Sequence, residues 1–250
     1  MIDIGQGDSI LFHENNTTIL IDTGEEENVV TKYLLDRKIK NIDYLMISHF
    51  DSDHCKNSLE IMKRLKVKNV IIAKQAENSK EFQETIEIVR KKRINLLVVQ
   101  AGDTINVDKD VYIKILWPKN SDFVRNNSLN NNSIVAKLYY KNFNILFTGD
   151  IEQIAEKQLI ESYSEQILKS TVYKVPHHGS RTSSTEEFIK AVSPKISLIC
   201  VGENNKFGHP NSEIIERLQT YGSKIYRTDL QGEITIKVNK NGKVKIETYV

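Results

Sequence analysis

The chain has 250 residues, which is enough to bury a core as one large domain or two small ones. Its 35 basic residues are offset by 33 acidic residues, and the resulting net charge of +2 excludes a polycation that binds nucleic acid through overall charge. The two cysteines, Cys55 and Cys200, lie far apart without a CxxC motif, so neither a disulfide framework nor an oxidising compartment is expected.

The sequence lacks the signals of membrane insertion and secretion. Its longest apolar runs, such as Val70–Ala73, are too short to span a bilayer, and the opening Met1-Ile2-Asp3 does not resemble a signal peptide. We therefore expect a cytoplasmic chain with no membrane segment, although its abrupt start leaves room for an upstream segment. No linker or tandem repeat divides it, which favours a single domain over residues 1–250.

In chain order, the first third of the sequence predicts alternating strands and helices. Short apolar runs indicate strands, and apolar residues at helical spacing indicate helices. The predicted strands are Ser9–Phe12, Thr18–Asp22, Tyr44–Ser48 and Val70–Ala73. The predicted helices are Asn28–Arg37, Leu59–Leu65 and Glu81–Lys92.

The middle of the chain is richer in strand, and the last third alternates again. The middle strands are Asn95–Val99, Val111–Trp117, Ser133–Tyr140 and Ile145–Thr148, and a polar loop is expected at Asn126–Asn132. The later strands are Thr171–Val175, Ile196–Val201 and three near Lys224, Glu233 and Lys243. The later helices are Glu152–Ser162, Thr185–Val192 and Glu213–Tyr221. This order predicts an α/β fold of two face-to-face sheets with helices outside, with a midpoint near the polar loop.

The segment from Ser48 to His54 points most directly to chemistry. It follows a predicted buried strand and places His49, Asp51, Asp53 and His54 within six residues. Imidazoles and carboxylates are good ligands for Zn, Mn and Fe. His49 and Asp51 face the same way in an extended turn, whereas Asp53 and His54 come one turn later and face a second metal. The alternative is a solvated acidic loop, but five of the six histidines fall in Gly- or Asp-rich turns after predicted strands, which favours a metal site.

Two later segments supply further candidates. Asp150 lies at the end of a predicted strand in Thr148-Gly149-Asp150, where its two oxygens can bridge two cations or cap the following helix. The His177-His178 pair precedes a Gly turn after another strand, so one histidine can bind a metal while the other contacts the substrate. A plain polar loop is the weaker alternative there.

These motifs resemble the metallo-β-lactamase superfamily, and within it the hydrolase domain of ComEC-type DNA-uptake (competence) proteins and their soluble relatives. The resemblance spans nearly the whole chain and implies a four-layer αββα sandwich with the site at one edge of the sheets. It rests on the order of these segments: Asp3–Ser9, Leu20–Gly24, His49–His54, Leu146–Asp150, Pro176–Ser184, Val201–Asn205, Gly208–Pro210, Tyr226–Asp229 and Gly232.

The resemblance also implies which residues bind metal. His49 and Asp51 would bind one cation, Asp53 and His54 would bind a second, and Asp150 would bridge the two. Asp51 stands where the superfamily signature HxHxDH has its second histidine. Three carboxylates make a hard ligand set, for which Mn²⁺ is as suitable as Zn²⁺.

The remaining roles are less sharply assigned. Asp22 would hold the loop that carries the ligands. The Pro-x-His-Gly pattern favours His178 as the last ligand, which we choose, whereas the layout of the two strands after Asp150 also fits His209. His177 and His209 then become candidates for proton donation or substrate contact.

The sequence departs from the family pattern at two places. The superfamily's histidine upstream of the bridging aspartate is missing, and Asn130, Asn132 or water takes its place, with Asn132 also a candidate substrate contact. The turn after His54 reads Cys55-Lys56 rather than a Gly-rich sequence. Lys56 is therefore a candidate phosphate contact, and Cys55 is a small apolar filler or, less simply, an extra soft ligand.

The expected function is hydrolysis of a phosphodiester by metal-activated hydroxide, with DNA as the substrate that the family implies. Ser180 and Arg181 would bind phosphate ahead of a predicted helix, unless Ser183 or Ser184 there merely caps that helix. Two alternatives stay open. In the first, the same metal core hydrolyses a small phosphoester or another ester, such as a phosphocholine ester or a lactone. In the second, the chain is a non-catalytic module whose degenerate metal site serves binding or regulation. The sequence makes no prediction of oligomeric state.

Overall fold

The first five strands form one sheet in the order β1-β2-β3-β4-β5. The computed structural model, which describes residues 1–14, 16–26, 28–74 and 79–249, places them at β1 Ile10–Glu14, β2 Thr17–Ile21, β3 Asn41–Met46, β4 Lys66–Ala73 and β5 Asn95–Val99. β1 pairs with β2 antiparallel, and the pairs from β2 to β5 are parallel.

The next seven strands form a second sheet in the order β12-β11-β10-β9-β8-β7-β6, and a separate hairpin follows. The pairs from β6 to β9 are antiparallel, and those from β9 to β12 are parallel. The strands are β6 Thr104–Asp108, β7 Val111–Trp117, β8 Val135–Tyr140, β9 Phe143–Phe147, β10 Val172–Lys174, β11 Ile196–Ile199 and β12 Lys224–Arg227, with the hairpin β13 Glu233–Val238 and β14 Val244–Tyr249.

Helices lie between the strands along the chain, and several are single turns. The longer helices are α1 Val29–Asp36, α3 Ser58–Arg64, α4 Lys80–Lys92, α6 Gln153–Ser162, α8 Glu186–Val192 and α9 Ser212–Thr220. The single turns are α2 Ser52–Cys55, α5 Ser128–Asn131, α7 Glu165–Leu168, α10 Thr228–Gln231 and a 3-10 turn at Pro176–Gly179. None of the helices in the described ranges is both long and apolar enough to cross a membrane.

Side-chain alternation along the strands creates three separate apolar cores. In β2, Ile19 and Ile21 face the core between the two sheets, whereas Leu20 faces the core shared with α1 and α3. In β9, Ile145 faces the core between the sheets, whereas Leu146 faces the core shared with α6 and α8. Because successive strand side chains point to opposite faces, each sheet is apolar on both faces and needs helices outside. The result is the αββα sandwich, which confirms the predicted fold.

The structure corrects three sequence-based expectations. The strand β6 was not predicted, because its residues alternate between intermediate and exposed positions at a sheet edge. The sheets divide between β5 and β6 rather than near Asn126–Asn132. That segment contains the helical turn α5, and its last three asparagines are buried rather than part of a solvated loop.

Candidate metal centre

The candidate site lies where parallel strands of both sheets end. The residues that follow parallel strands lie at the same edge of the sheet, and ligand sites in such sheets form at that edge. The segments that reach this edge are Asp22 after β2, His49–His54 after β3, Asp150 after β9, His177-His178 after β10 and residues 200–211 after β11.

Asp22 organises the loop after β3. Its Oδ1 accepts a hydrogen bond from the Ser48 backbone N–H at 2.7 Å, and its Oδ2 accepts one from the Ser48 hydroxyl at 2.7 Å. The same Oδ2 lies 2.9 Å from His54 Nδ1. Asp22 is buried, so these contacts fix the orientation of the His54 ring, as carboxylates behind metal-binding histidines do.

Three imidazoles are each held at Nδ1, which leaves Nε2 facing a common centre. Besides the bond of His54 to Asp22, His49 Nδ1 lies 3.0 Å from the Ser48 hydroxyl, and His178 Nδ1 lies 2.9 Å from the Cys200 carbonyl. The Nε2 atoms of all three rings are buried and have no hydrogen-bond partner among the described residues. Buried polar atoms are rarely left without a partner, so these three nitrogens are suited to bind a cation.

Carboxylates converge on the same three nitrogens. Asp150 Oδ1 lies 3.2 Å from His54 Nε2, and Asp150 Oδ2 lies 3.5 Å from His178 Nε2. Asp53 Oδ2 is 3.3 Å from His178 Nε2, and Asp51 Oδ2 is 3.5 Å from His49 Nε2.

Three overlapping sets of candidate ligand atoms lie in this region: Asp8, Asp22 and His54 form one, and the other two face the common centre. Ligand atoms of His49, His54 and Asp150 lie within 4.8 Å of one another, as do those of Asp53, His54 and His178. Nitrogen and carboxylate oxygen donors in two adjacent sets fit a pair of divalent cations.

Sequence reasoning missed a buried ion pair behind this centre. Lys174, the last residue of β10, is 1% exposed, and its ammonium contacts Asp8 and lies 3.8 Å from Asp150 Oδ1. Asp8 comes from the opening Gly-rich turn, in which its own N–H donates to the Asp53 carbonyl at 3.1 Å. A Cβ on Gly7 would lie 2.2 Å from that carbonyl oxygen, so only glycine permits this approach.

The sequence does contain a signal for this pair. Lys174 is a charged residue inside the otherwise apolar strand Thr171–Val175, and a lysine in a fully buried strand requires an acidic partner. We use the name charged cluster for the following set: Asp8, Asp22, His49, Asp51, Asp53, His54, Asp150, Lys174 and His178.

The groups of the charged cluster shift one another's proton affinities. Burial alone raises the pKa of Asp150, but the charges of His54 and His178 outweigh burial and hold that pKa well below its usual range. Burial lowers the pKa of His178, yet Asp150 and the neighbouring carboxylates raise it to about 9. Burial also lowers the pKa of Lys174, but Asp8 and Asp150 raise it above its ordinary value. The carboxylates thus favour positive charge throughout the centre.

A cavity of about 320 Å³ opens above the charged cluster. Its floor includes Asp51, Asp53 and Asp150. We use the name cavity rim for four other lining residues: Asn130, His177, Phe207 and His209.

The rim histidines are held more loosely than those of the charged cluster. His177 Nδ1 lies 3.6 Å from Glu152 and 3.4 Å from the Thr182 hydroxyl, and its Nε2 lies 3.5 Å from Asn130 Nδ2. Burial and the neighbouring His178 lower the pKa of His209 to about 4, with His177 contributing further.

Backbone geometry brings the two rim loops together. His177 and His178 have φ values of 51° and 53°, in the left-handed region that non-glycine residues rarely adopt. The Gly179 carbonyl then accepts a hydrogen bond from the Asn211 N–H at 2.9 Å. A Cβ on Gly179 would lie 2.6 Å from Pro210 Cβ, so a glycine is needed where the loops meet. Strained, non-glycine backbone of this kind concentrates at functional sites.

Several predicted substrate contacts do not line the cavity. Asn132 does not line the cavity, and its amide instead donates to the carbonyls of Val124 and Ser128 at 2.7 Å each and so holds the loop. Lys56 is exposed and does not line the cavity itself, although its Nζ lies 3.5 Å from Glu25, which does. Asn130 is the asparagine that reaches the cavity.

The segment after the histidine pair also differs from expectation. Ser180 is buried with its hydroxyl 3.1 Å from that of Thr182, Arg181 is exposed, and neither residue lines the cavity. Helix α8 is capped by Thr185, whose hydroxyl accepts from the Phe188 N–H at 3.3 Å, rather than by either preceding serine. Cys55 packs in the core between the first sheet and its helices, as an apolar filler does.

Comparisons with known proteins agree with this architecture. The sequence model described as the metallo-beta-lactamase superfamily matches residues 2–203. Among curated proteins, the chain is 31% identical over 255 residues to ComE operon protein 3 of Bacillus subtilis (strain 168), covering 94% of this chain and 32% of that protein. It is 26% identical to Competence protein ComA of Neisseria gonorrhoeae, covering 96% of this chain and 32% of that protein. The chain thus spans about a third of the length of these relatives.

Solved structures show the same fold at low sequence identity. Igni18, a metallo hydrolase from Ignicoccus hospitalis, matches with a TM-score of 0.58 at 17% identity over 98% of this chain and 97% of that chain. CmlA, a diiron beta-hydroxylase from Streptomyces venezuelae, matches with a TM-score of 0.59 at 15% identity over 90% of this chain and 51% of that chain.

Proposed function

The chain belongs to the metallo-beta-lactamase superfamily of metal-dependent hydrolases, and from this premise we propose that its charged cluster binds two divalent cations and that it hydrolyses phosphodiester bonds in DNA. The observation that carries the proposal is that Asp150 lies 3.2 Å from His54 Nε2 and 3.5 Å from His178 Nε2 and shares with His49 a set of ligand atoms within 4.8 Å of one another.

The charge balance of the cluster supports two cations rather than one. It holds five carboxylates and one ammonium, for a sum of −4 when the histidines are neutral, as metal ligands must be. Two divalent cations neutralise that sum, whereas one leaves two uncompensated negative charges in a largely buried site. Uncompensated buried charge is strongly destabilising, so the composition of the cluster favours the dinuclear state.

The distances also support a ligand assignment. His49 and Asp51 would hold one cation, Asp53 and His178 the other, and Asp150 would lie between them. His54 Nε2 belongs to both sets of ligand atoms that face the common centre. His178 is favoured over His209 as the last ligand because its Nε2 lies within 3.5 Å of both Asp53 and Asp150. Three carboxylates in the ligand set make Mn²⁺ as suitable as Zn²⁺.

When bound, divalent cations at such a site activate water as a nucleophile near neutral pH and polarise the phosphoryl group. The chain's own contribution is to orient the substrate from the cavity rim. Asn130 and His177 offer N–H groups to phosphate oxygens. Burial lowers the pKa of His177, so its ring is neutral at neutral pH and donates from one nitrogen. The negative charge of a bound phosphodiester raises the pKa of such an imidazole and prepares it to protonate the leaving oxygen.

DNA as the substrate is supported by the relatives rather than by overall charge. One of them is a competence protein by name, and another is Recombination protein 2 of Haemophilus influenzae (strain ATCC 51907 / DSM 11121 / KW20 / Rd), 28% identical over 94% of this chain and 28% of that protein. Because the fold alone does not specify a substrate, the assignment needs a direct assay.

The assay is hydrolysis by the purified chain, supplied with Mn²⁺ or Zn²⁺, of single-stranded DNA, double-stranded DNA, bis-p-nitrophenyl phosphate and a lactone. Cleavage of DNA that is lost in Asp150→Asn supports the proposal. Turnover of the small diester or the lactone without DNA cleavage would replace it with a small-ester hydrolase. Fewer than one bound transition metal per chain after repletion would favour a binding or regulatory module with a degenerate site.

A further inference from the structure

Phe207 is the most exposed of the large apolar side chains in the described ranges, at 67%. It lies at the cavity rim, on the loop between β11 and α9. Because the ring lies beside a polar, acidic cavity, a ligand bound in that cavity would cover it and remove apolar surface from water.

The loop that presents Phe207 is internally braced. The Asn205 side chain donates to the carbonyls of Gly202 and His209 at 3.1 and 2.6 Å. Its Oδ1 accepts from the N–H groups of Phe207 and His209 at 3.2 and 3.0 Å. The Asn205 side chain therefore fixes both ends of the segment. The Phe207 ring is thus held in a defined position before a ligand binds.

Phe207 is also the outermost member of a stack of rings that leads into the charged cluster. Its ring lies 5.8 Å from that of His209 at an interplanar angle of 22°. The His209 ring lies 6.3 Å from that of His178 at 27°. A flat group on the open face of Phe207 would continue this stack, while a phosphate attached to it reaches toward the floor of the cavity.

We propose that Phe207 is a stacking platform for the nucleobase next to the scissile phosphate. The inference rests on the proposed phosphodiesterase function and assigns to it a residue that contacts the base of the substrate. A base is favoured over an acyl chain because Asp51 and Asp53 line the floor of the cavity of about 320 Å³. A floor with these carboxylates is too polar for a long apolar tail. Stacking on an aromatic side chain accepts any base, because every base has a π-face.

The test compares two p-nitrophenyl diesters with the same leaving group. Thymidine 5′-(p-nitrophenyl phosphate) carries a base, and methyl p-nitrophenyl phosphate does not. The ratio of their kcat/KM values reports the contribution of the nucleoside, and the change of that ratio in a Phe207 variant reports the contribution of the ring, because a variant with impaired folding or metal binding loses both rates equally.

In wild type we expect the thymidine ester to be preferred. Phe207→Ala should lower the ratio by about 5- to 100-fold, the range expected for loss of one base–aromatic stack. Phe207→Trp should keep the ratio. Tyr249→Ala, which removes another exposed ring that does not line the cavity, is the matched control and should leave it unchanged.

The outcomes separate the inference from the function on which it rests. Hydrolysis of both esters with a ratio that Phe207→Ala does not change overturns the platform and leaves the phosphodiesterase intact. A wild-type ratio near one overturns it as well, and points to a protein partner for the exposed ring. Absence of hydrolysis of either ester contradicts the proposed function, and the platform with it.

Discussion

The charged cluster and the cavity rim lie side by side but are held in different ways. Each histidine of the charged cluster is fixed at Nδ1 by a neighbour within 3.0 Å, namely Ser48, Asp22 or the Cys200 carbonyl. The rim residue His177 has contacts of 3.4 to 3.6 Å and a side chain that is 23% exposed. Close second contacts orient ligands before a cation binds, whereas looser contacts leave donors free to adjust to a substrate.

The same edge of the two sheets therefore carries both the candidate metal ligands and the candidate substrate contacts. The strand ends place ligands and substrate donors within one small region, and the neighbours of each ring decide its task. Variants in the charged cluster should therefore change metal binding, and variants in the rim should change turnover with the metal retained.

Among variants of the cavity rim, we expect the largest effect from His177→Gln. We expect kcat to fall by about 10²-fold or more, because a proton donor near the leaving oxygen is lost, while metal content stays at the wild-type level. Steady-state kinetics and elemental analysis on the same samples measure both quantities. His13→Gln, on β1 beside Thr18, is the matched control. Loss of metal in step with activity would move His177 into the charged cluster.

Asp22→Asn should weaken metal binding by about 10- to 100-fold, because an amide cannot accept the hydrogen bonds from both Ser48 and His54. Competition against a chelating dye gives the affinity. Asp43→Asn is the matched control, since Asp43 pairs with Lys68 outside the cavity. An unchanged metal affinity in Asp22→Asn would show that the loop orients its ligands without this carboxylate.

The Asp8–Lys174 pair tests whether the charge of the cluster controls metal affinity, because removal of each member should change that affinity in opposite directions. Asp8→Asn leaves an excess positive charge and should weaken metal binding by about tenfold, whereas Lys174→Met leaves an excess negative charge and should strengthen it by a similar factor. The double variant restores the balance and should lie near wild type. Calorimetric titration with Mn²⁺ measures all four proteins. A shift of both single variants in the same direction would contradict the charge count.

A separate prediction concerns the stability of the fold and a buried carboxylate outside both regions. Burial raises the pKa of Glu156 to about 7, although its oxygens accept from the N–H groups of Ser184 and Thr185. Asp150, by contrast, is surrounded by cationic groups, and its pKa is lowered. A folded-state pKa above the unfolded value of 4.5 means that stability is full below about pH 4.5 and is lost as pH rises through about 7.

The corresponding measurement is urea unfolding at pH 5 and pH 8 with a chelator present, in wild type and Glu156→Gln. Relative to the variant, wild type should lose about 1–3 kcal/mol of unfolding free energy between pH 5 and pH 8. Equal pH dependence in the two proteins would mean that Glu156 keeps an ordinary pKa when folded.

The sequence was most informative where ligands are close in the chain. Local spacing after one strand was sufficient to single out His49–His54, because those residues share a loop whatever the rest of the fold does. Contacts that depend on the mutual placement of two sheets were not predictable in this way. Asp8 and Lys174 are separated by most of the chain and meet only because the opening turn packs against the end of β10.

Short helical turns explain why two predicted substrate contacts do not line the cavity. The sequence did not distinguish Asn130 from Asn132 at the cavity, because the turn α5 directs the former to the rim and the latter into the loop. Lys56, which directly follows the single-turn helix α2, pairs with Glu25 and does not line the cavity itself. One-turn helices carry too little periodic signal to be recognised from sequence.

The number of divalent cations bound per chain is the most direct test of the central claim, which is that side chains from both sheets assemble one dinuclear centre around Asp150. After repletion with Mn²⁺ or Zn²⁺ and removal of excess metal, elemental analysis should find two per chain in wild type and less than one in Asp150→Asn. Two tightly bound cations in both proteins, or fewer than one in wild type, would contradict this account.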